Sequence, residues 1–185
     1  MPKKNIIQVP VAEPLFGKEE KKYINQCIDS GWVSSSGSFV TDFEKKCSSF
    51  SKSKYAIATS NGTTALHLAL LAAGIKKGDE VIVPTLTFIS TANAVRYTGA
   101  KPIFIDSQSD SWNIDPSLIE ESITKRTKAI IPVHLFGLPA DMDPIMQISK
   151  RHNLIVIEDA AEAQGALYKG KPVGSIGHMG TFSFY

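Results

Sequence analysis

The chain has 185 residues, of which 43% are hydrophobic and 21% charged, with a formal net charge of +2. That composition describes an ordinary soluble globular chain, one domain or one domain and a fragment, and the charge is too small and too dispersed to argue for nucleic acid. The longest apolar stretch, around TALHLALLAAG, is too short to cross a membrane and carries His67. Cys27 and Cys47 lie in separate polar, helix-like stretches without metal spacing, which fits a reducing compartment. The opening MPKKNIIQVP has no long apolar run after its lysines, so it does not read as a secretory signal.

Residues 1–16 read as an extended arm. In 17–30 the apolar positions Tyr23, Ile24, Cys27 and Ile28 recur at helical spacing, and Gly31 can cap the end. GWVSSSGSF then interrupts as a Gly/Ser-rich loop, with Trp32 and Val33 as unusual loop residues. FVTDFEKKCSSF predicts a second amphipathic helix. From Lys54 the pattern changes to short β-rich runs alternating with helical runs. Strands are expected at 55–59, 80–83, 102–105, 128–133, 154–158 and 181–184. Helices are expected at 63–73, 89–98, 115–124 and 141–152, with Asp115-Pro116 as a capped start. The strands are mostly continuous apolar runs, as in a sheet covered on both faces. The expected fold class is therefore α/β, three layers with a mostly parallel central sheet.

Ligands in such sheets gather at the carboxyl ends of the strands. After 55–59 comes Ser60-Asn61-Gly62-Thr63-Thr64, opening into a helix. Free backbone N–H groups at a helix start suit a phosphate, although taken alone the turn reads as a plain N-cap. It is not a P-loop, because no Gly-Lys-Ser/Thr follows, and no GxGxxG is present. After 80–83, Phe88 stands beside Thr85, Thr87 and Ser90, where an aromatic can lie flat on a planar ligand or simply join the core. After 154–158, Glu158 and Asp159 end an apolar strand and alternate to opposite faces. A carboxylate there is costly unless something positive meets it, either Mg²⁺ or a protonated heteroaromatic nitrogen. His134 follows 128–133 and reads as a structural hydrogen-bonding residue, and the four histidines form no metal pattern with the acids. A phosphate cradle, a flat aromatic and a buried acid at strand ends of one sheet together suit pyridoxal phosphate, with Ser183 adding to the phosphate site.

The runs GWVSSSGSFVTDFEKK, SNGTTALHLAL, GDEVIVPTLTFISTANAV, GAKPIFIDS, AIIPVHLFGLPADMDPI and VIEDAAEAQGALYKGKPVGSIGHMGTFSF resemble the DegT/DnrJ/EryC1/StrS family, in order and over nearly the whole chain. The opening stretch is similar to perosamine-synthase-like members. The resemblance implies the large domain of a fold type I (aspartate aminotransferase-like) enzyme. It implies pyridoxal 5′-phosphate as cofactor, a nucleotide-linked keto-deoxysugar as amino acceptor and an amino acid, glutamate, as donor. It also implies a cytoplasmic homodimer serving polysaccharide pathways such as lipopolysaccharide synthesis, with no metal. By position it implies cofactor contacts from Gly62, Thr63, Phe88, Asp159, Glu162 and Ser183. Trp32, Ser34 and Ser35 match a loop near the sugar nucleotide. Glu162 departs from the Gln or His common there. The family's Schiff-base lysine is expected just past Tyr185, so no catalytic residue is expected within this chain. Lys169 and Lys171, in the exposed turn YKGKPVG, do not replace it. The expected organisation is an arm and helices over 1–50, then a cofactor-binding large domain over 51–185, truncated before the lysine and a C-terminal small domain. Two other readings stay open: a dehydratase of the same family with histidine at the lysine's position, and a catalytically inactive fragment.

Overall fold

The computed structural model describes residues 13–185. They fall into two compact units that divide between Thr41 and Asp42. In the first unit, α1 (Lys18–Ser30) starts where the Glu20 carboxylate accepts the Gly17 N–H at 2.6 Å. It ends where Gly31, at φ +74°, donates its N–H to the Ile28 carbonyl, the left-handed finish that glycine allows. Tyr23 and Phe39 meet edge to face at 5.6 Å. Helix α2 (Ser38–Ser51) runs on into the second unit.

The second unit is built on a five-stranded parallel sheet. Its members are β1 (Glu80–Pro84), β2 (Lys101–Ile105), β3 (Thr127–Ile130), β4 (Ile155–Asp159) and β7 (Met179–Thr181), in the order β2-β1-β3-β4-β7. A small antiparallel hairpin, β5 (Leu167–Tyr168) with β6 (Lys171–Pro172), lies outside it. On one face pack α3 (Gly62–Ala72) and α4 (Ser90–Tyr97), closing Leu66, Leu70, Val81, Val83, Val95 and Ile157 into one core. On the other packs α5 (Met142–His152), closing Ile82, Ile130, Ile145 and Val156 into a second. Each buried Ile or Leu contributes ~1.5–3 kcal/mol relative to exposure, and the alternation along β1 and β4 feeds both cores at once. This is the expected three-layer fold with a parallel sheet.

Helix α3 begins as the turn chemistry requires. The Asn61 side chain accepts the Thr64 N–H at 3.0 Å, and the Thr64 hydroxyl accepts the Asn61 N–H at 3.2 Å. Helix α5 ends at Asn153 in the left-handed region.

Three expectations are corrected. Residues 115–124 form two separate 3₁₀ turns, Pro116–Leu118 and Glu120–Ser122, rather than one helix. Asp115 caps as expected, accepting the Ser117 N–H at 2.9 Å. The path ends because Ile123 turns extended and the Thr124 hydroxyl is tied to Glu80 at 2.5 Å. Residues 55–59 pair with no strand among the described residues. Their one inward tie is the Ala58 N–H to the Glu44 carboxylate at 2.9 Å. Their sequence is β-prone, but a strand needs a neighbour to complete its ladder. A cleft of about 720 Å³ separates them from β7. The last expected strand, 181–184, pairs only as far as Thr181.

Candidate functional site

The site is assembled at the carboxyl ends of the strands. Asp159 closes β4 and is 4% exposed. One carboxylate oxygen accepts the Thr91 hydroxyl at 2.8 Å, and the other accepts the Ala161 N–H at 3.2 Å. Burial pushes its carboxyl above the usual aspartate range. The Thr91 and Ala161 bonds pull the other way without cancelling the effect, and nearby Glu162 adds like charge. Asp159 is therefore a buried acid with no cationic side chain bonded to its carboxylate among the described residues.

Thr91 lies in the first turn of α4, and its N–H donates to the Phe88 carbonyl at 3.2 Å. Phe88 thus stands one turn before the residue that holds Asp159. Its ring is 73% exposed, which answers the choice left open by the sequence: it is not a core residue here.

The Ser60–Thr64 turn lies at the start of α3, beside the end of the chain's last strand. Gly62 is buried against Ser183, and a Cβ on Gly62 would meet the Ser183 Cβ at 2.8 Å and its hydroxyl oxygen at 3.1 Å. The opening N–H groups of α3, the half-buried Thr63 and the Ser183 hydroxyl are thereby gathered at one helix start. Gln164 ties the same corner together, its amide donating to the Ser183 and Ala161 carbonyls.

Glu162 lies three residues past Asp159, and its carboxylate accepts the Phe136 N–H at 2.9 Å. Phe136 itself takes a left-handed conformation at φ +49°. Trp32, Ser34 and Ser35 belong to the loop between α1 and α2 in the first unit. There Trp32 is 57% exposed, Gly37 lies against its Cβ, and the Ser34 hydroxyl turns back to Ser36. Within the second unit, then, Gly62 meets Ser183, and Asp159 is linked through Thr91 to Phe88. The Trp32 loop is a separate matter.

Sequence reasoning missed Thr91 and Gln164. Thr91 carried a usable signal, because it falls three residues after Phe88 at the start of a helix, on the same face. Gln164 carried none, since its role is to bond a carbonyl 19 residues away.

The residues present fit pyridoxal phosphate on two structural grounds. An under-compensated buried carboxylate suits a protonated ring nitrogen, and a glycine cradle that a Cβ would fill suits a phosphate.

Comparison with known proteins gives the family. The family model of the DegT/DnrJ/EryC1/StrS aminotransferases matches residues 14–185. GDP-perosamine synthase of Escherichia coli O157:H7 is 54% identical over 177 residues, covering 96% of this chain and 49% of that protein. The crystallised aminotransferase of Psychrobacter cryohalolentis superposes with a TM-score of 0.89 at 44% identity, covering 95% of this chain and 45% of that one. The PLP-form of a Streptococcus pneumoniae protein described as a sugar aminotransferase superposes with a TM-score of 0.92 at 30% identity, covering 97% of this chain and 49% of that one. The chain spans about half the length of the curated relatives it matches. It belongs to the DegT/DnrJ/EryC1/StrS aminotransferase family.

Proposed function

We propose that this chain is the cofactor-holding part of a pyridoxal-phosphate-dependent aminotransferase. The enzyme would move an amino group from an amino acid, glutamate, to a nucleotide-linked keto-deoxysugar. Because the chain spans about half the length of its relatives, the transfer is proposed for a polypeptide of their full length. A GDP-linked sugar is the favoured acceptor class, on the 54% identity to a GDP-perosamine synthase. A homodimer and a role in polysaccharide synthesis go with the same reading. The observation that carries it is Asp159: a buried acid, raised by burial, paired across the sheet with Thr181, two residues before the Ser183 that lies against Gly62.

When bound, the cofactor supplies a protonated pyridine ring that withdraws charge from the substrate carbon. Asp159 keeps the proton on the ring nitrogen, and Thr91 holds that carboxylate in orientation. Phe88 covers the ring face and excludes water from it. The Gly62 and Thr63 N–H groups and the Ser183 hydroxyl take the phosphate. Glu162 would accept a hydrogen bond from a ring hydroxyl. Trp32, Ser34 and Ser35 are proposed as contacts of the sugar nucleotide.

The test is noncovalent binding of pyridoxamine 5′-phosphate to the chain, followed by absorbance or calorimetry. Asp159→Asn should weaken binding at least about tenfold, the equivalent of losing one charge-assisted interaction of ~1.4 kcal/mol. An unchanged Kd in that variant sinks the assignment.

A further inference from the structure

Asp159, Glu162 and Ser183 sit on segments that converge on a buried carboxylate the proposed chemistry leaves unused. Glu158 precedes Asp159 and points to the opposite face of the sheet. It is fully buried and accepts four hydrogen bonds. One oxygen takes the His134 Nε2–H at 3.0 Å and the Gly174 N–H at 2.8 Å. The other takes the Ile176 N–H at 2.7 Å and the Gly177 N–H at 2.6 Å. A carboxylate so compensated stays in one place, because losing any donor strands a buried charge.

Two paths lead from it to the site. The 174–177 loop runs into β7, which pairs Gly180 with Glu158 and Thr181 with Asp159. The Thr181 hydroxyl donates to the Glu158 carbonyl at 3.2 Å. Two residues further on, Ser183 reaches Gly62. The second path runs through His134, also fully buried. Its Nδ1 accepts the Ala140 N–H at 3.0 Å, so the Nε2 proton is the one given to Glu158. Its own backbone N–H donates to the Asp159 carbonyl at 3.0 Å. The 134–140 loop also carries Phe136, whose N–H is held by Glu162.

We propose that Glu158, oriented by His134, is a positioning residue for the phosphate end of the site, setting where Ser183 stands against Gly62 without touching the ligand itself. This rests on the pyridoxal-phosphate reading above. A residue needed only for general folding weakens every ligand by the same factor. A residue that places Ser183 changes the preference for a phosphorylated ligand over its phosphate-free counterpart.

The experiment therefore measures a ratio. Pyridoxamine 5′-phosphate and pyridoxamine are titrated into the 185-residue chain, and the Kd of pyridoxamine is divided by that of pyridoxamine 5′-phosphate. Near-UV circular dichroism establishes that each variant is folded. Glu158→Gln keeps the size but turns an N–H₂ toward backbone donors, and His134→Ala removes the orienting ring. Each should reduce the ratio about tenfold, one lost hydrogen-bond equivalent. His134→Gln can both donate to Glu158 and accept from Ala140, so it should restore the ratio to within about threefold of the parent. If Glu158→Gln does not fold, His134→Ala against His134→Gln decides by the same ratio. Folded variants in which both Kd values rise together, leaving the ratio unchanged, overturn the positioning role. A parent chain that binds neither probe overturns the cofactor reading, and the positioning role toward that cofactor falls with it.

Discussion

Gly62 and Ser183 approach so closely that a single methyl group on the glycine would lie 2.8 Å from the serine Cβ. The two residues are 121 positions apart, and only the packing of α3 against the end of β7 brings them together. The contact turns a helix start into a shaped cradle, because one wall supplies backbone N–H groups and the other a hydroxyl.

Gly62→Ala separates that cradle from ordinary helix stability. Helix propensity alone favours alanine by up to ~1 kcal/mol. The clash with Ser183 opposes it by ~1–3 kcal/mol, since a side chain and the strand end behind it must shift. The melting temperature should therefore move by only a few degrees. Affinity for pyridoxamine 5′-phosphate, read by titration, should fall at least about tenfold while affinity for pyridoxamine holds.

Thr91→Val tests the support of Asp159. Valine keeps the shape and removes the hydroxyl that donates to the carboxylate at 2.8 Å. Leaving a buried acceptor short of a donor costs ~1–3 kcal/mol. The cost falls on the ionised form, so the Asp159 carboxyl should rise further. Thermal melts at pH 7 and near pH 4 check this. The gap between variant and parent should be widest at pH 7 and narrow in acid, where Asp159 takes up its proton.

Asp159→Asn should stabilise the cofactor-free chain and weaken the loaded one. Burial raises the folded-state carboxyl above its ordinary 3.8. A group raised on folding contributes its stability at low pH and loses it as pH climbs through the folded value. At pH 7 the parent thus carries a charge that its fold disfavours, and the neutral amide removes it. Each kcal/mol recovered shifts the melting temperature by ~2–4 °C for a chain of this size. Saturating pyridoxamine 5′-phosphate should reverse the order, because asparagine cannot neutralise a ring cation. A variant less stable than the parent without ligand would contradict this account.

The parts of the fold legible in the sequence were those decided locally. Glu80–Pro84 and Met142–His152 were found almost to the residue, because continuous apolar runs and a helical stripe need no distant partner to be recognised. The Asn61 and Asp115 caps were legible for the same reason. Residues 55–59 misled because propensity reports what a segment prefers, while a strand also needs a neighbour. Residues 115–124 misled because Thr124 is pulled away by Glu80, 44 positions earlier. Within the site, Asp159 stood out as an acid ending an apolar strand. Its helper Thr91 is 68 positions away, and the four donors on Glu158 come from two loops, so neither network has a local signature.

As pH falls, acid should first relieve the buried Asp159 and then destabilise the chain through Glu158 and Glu80. Burial pushes the Glu158 carboxyl up, but the His134 and backbone donors outweigh it and hold it below the ordinary 4.5. Glu80, buried at the start of β1, is held low by the Thr124 hydroxyl at 2.5 Å and then by Arg126, whose guanidinium reaches it at 2.5 and 3.0 Å. A group lowered on folding contributes stability above its unfolded value and loses it as pH falls through the folded one. The melting temperature should therefore drop as pH falls below about 4.5. Glu80→Gln should lower it at pH 7 by several degrees. Its charge-assisted bonds are worth ~1.5–3 kcal/mol, less the screening at a largely exposed Arg126. The same substitution should also flatten the acid limb, since one of the groups that must be protonated is gone. A Glu80→Gln profile that parallels the parent below pH 4.5 would remove Glu80 from the acid response and leave Glu158 to carry it.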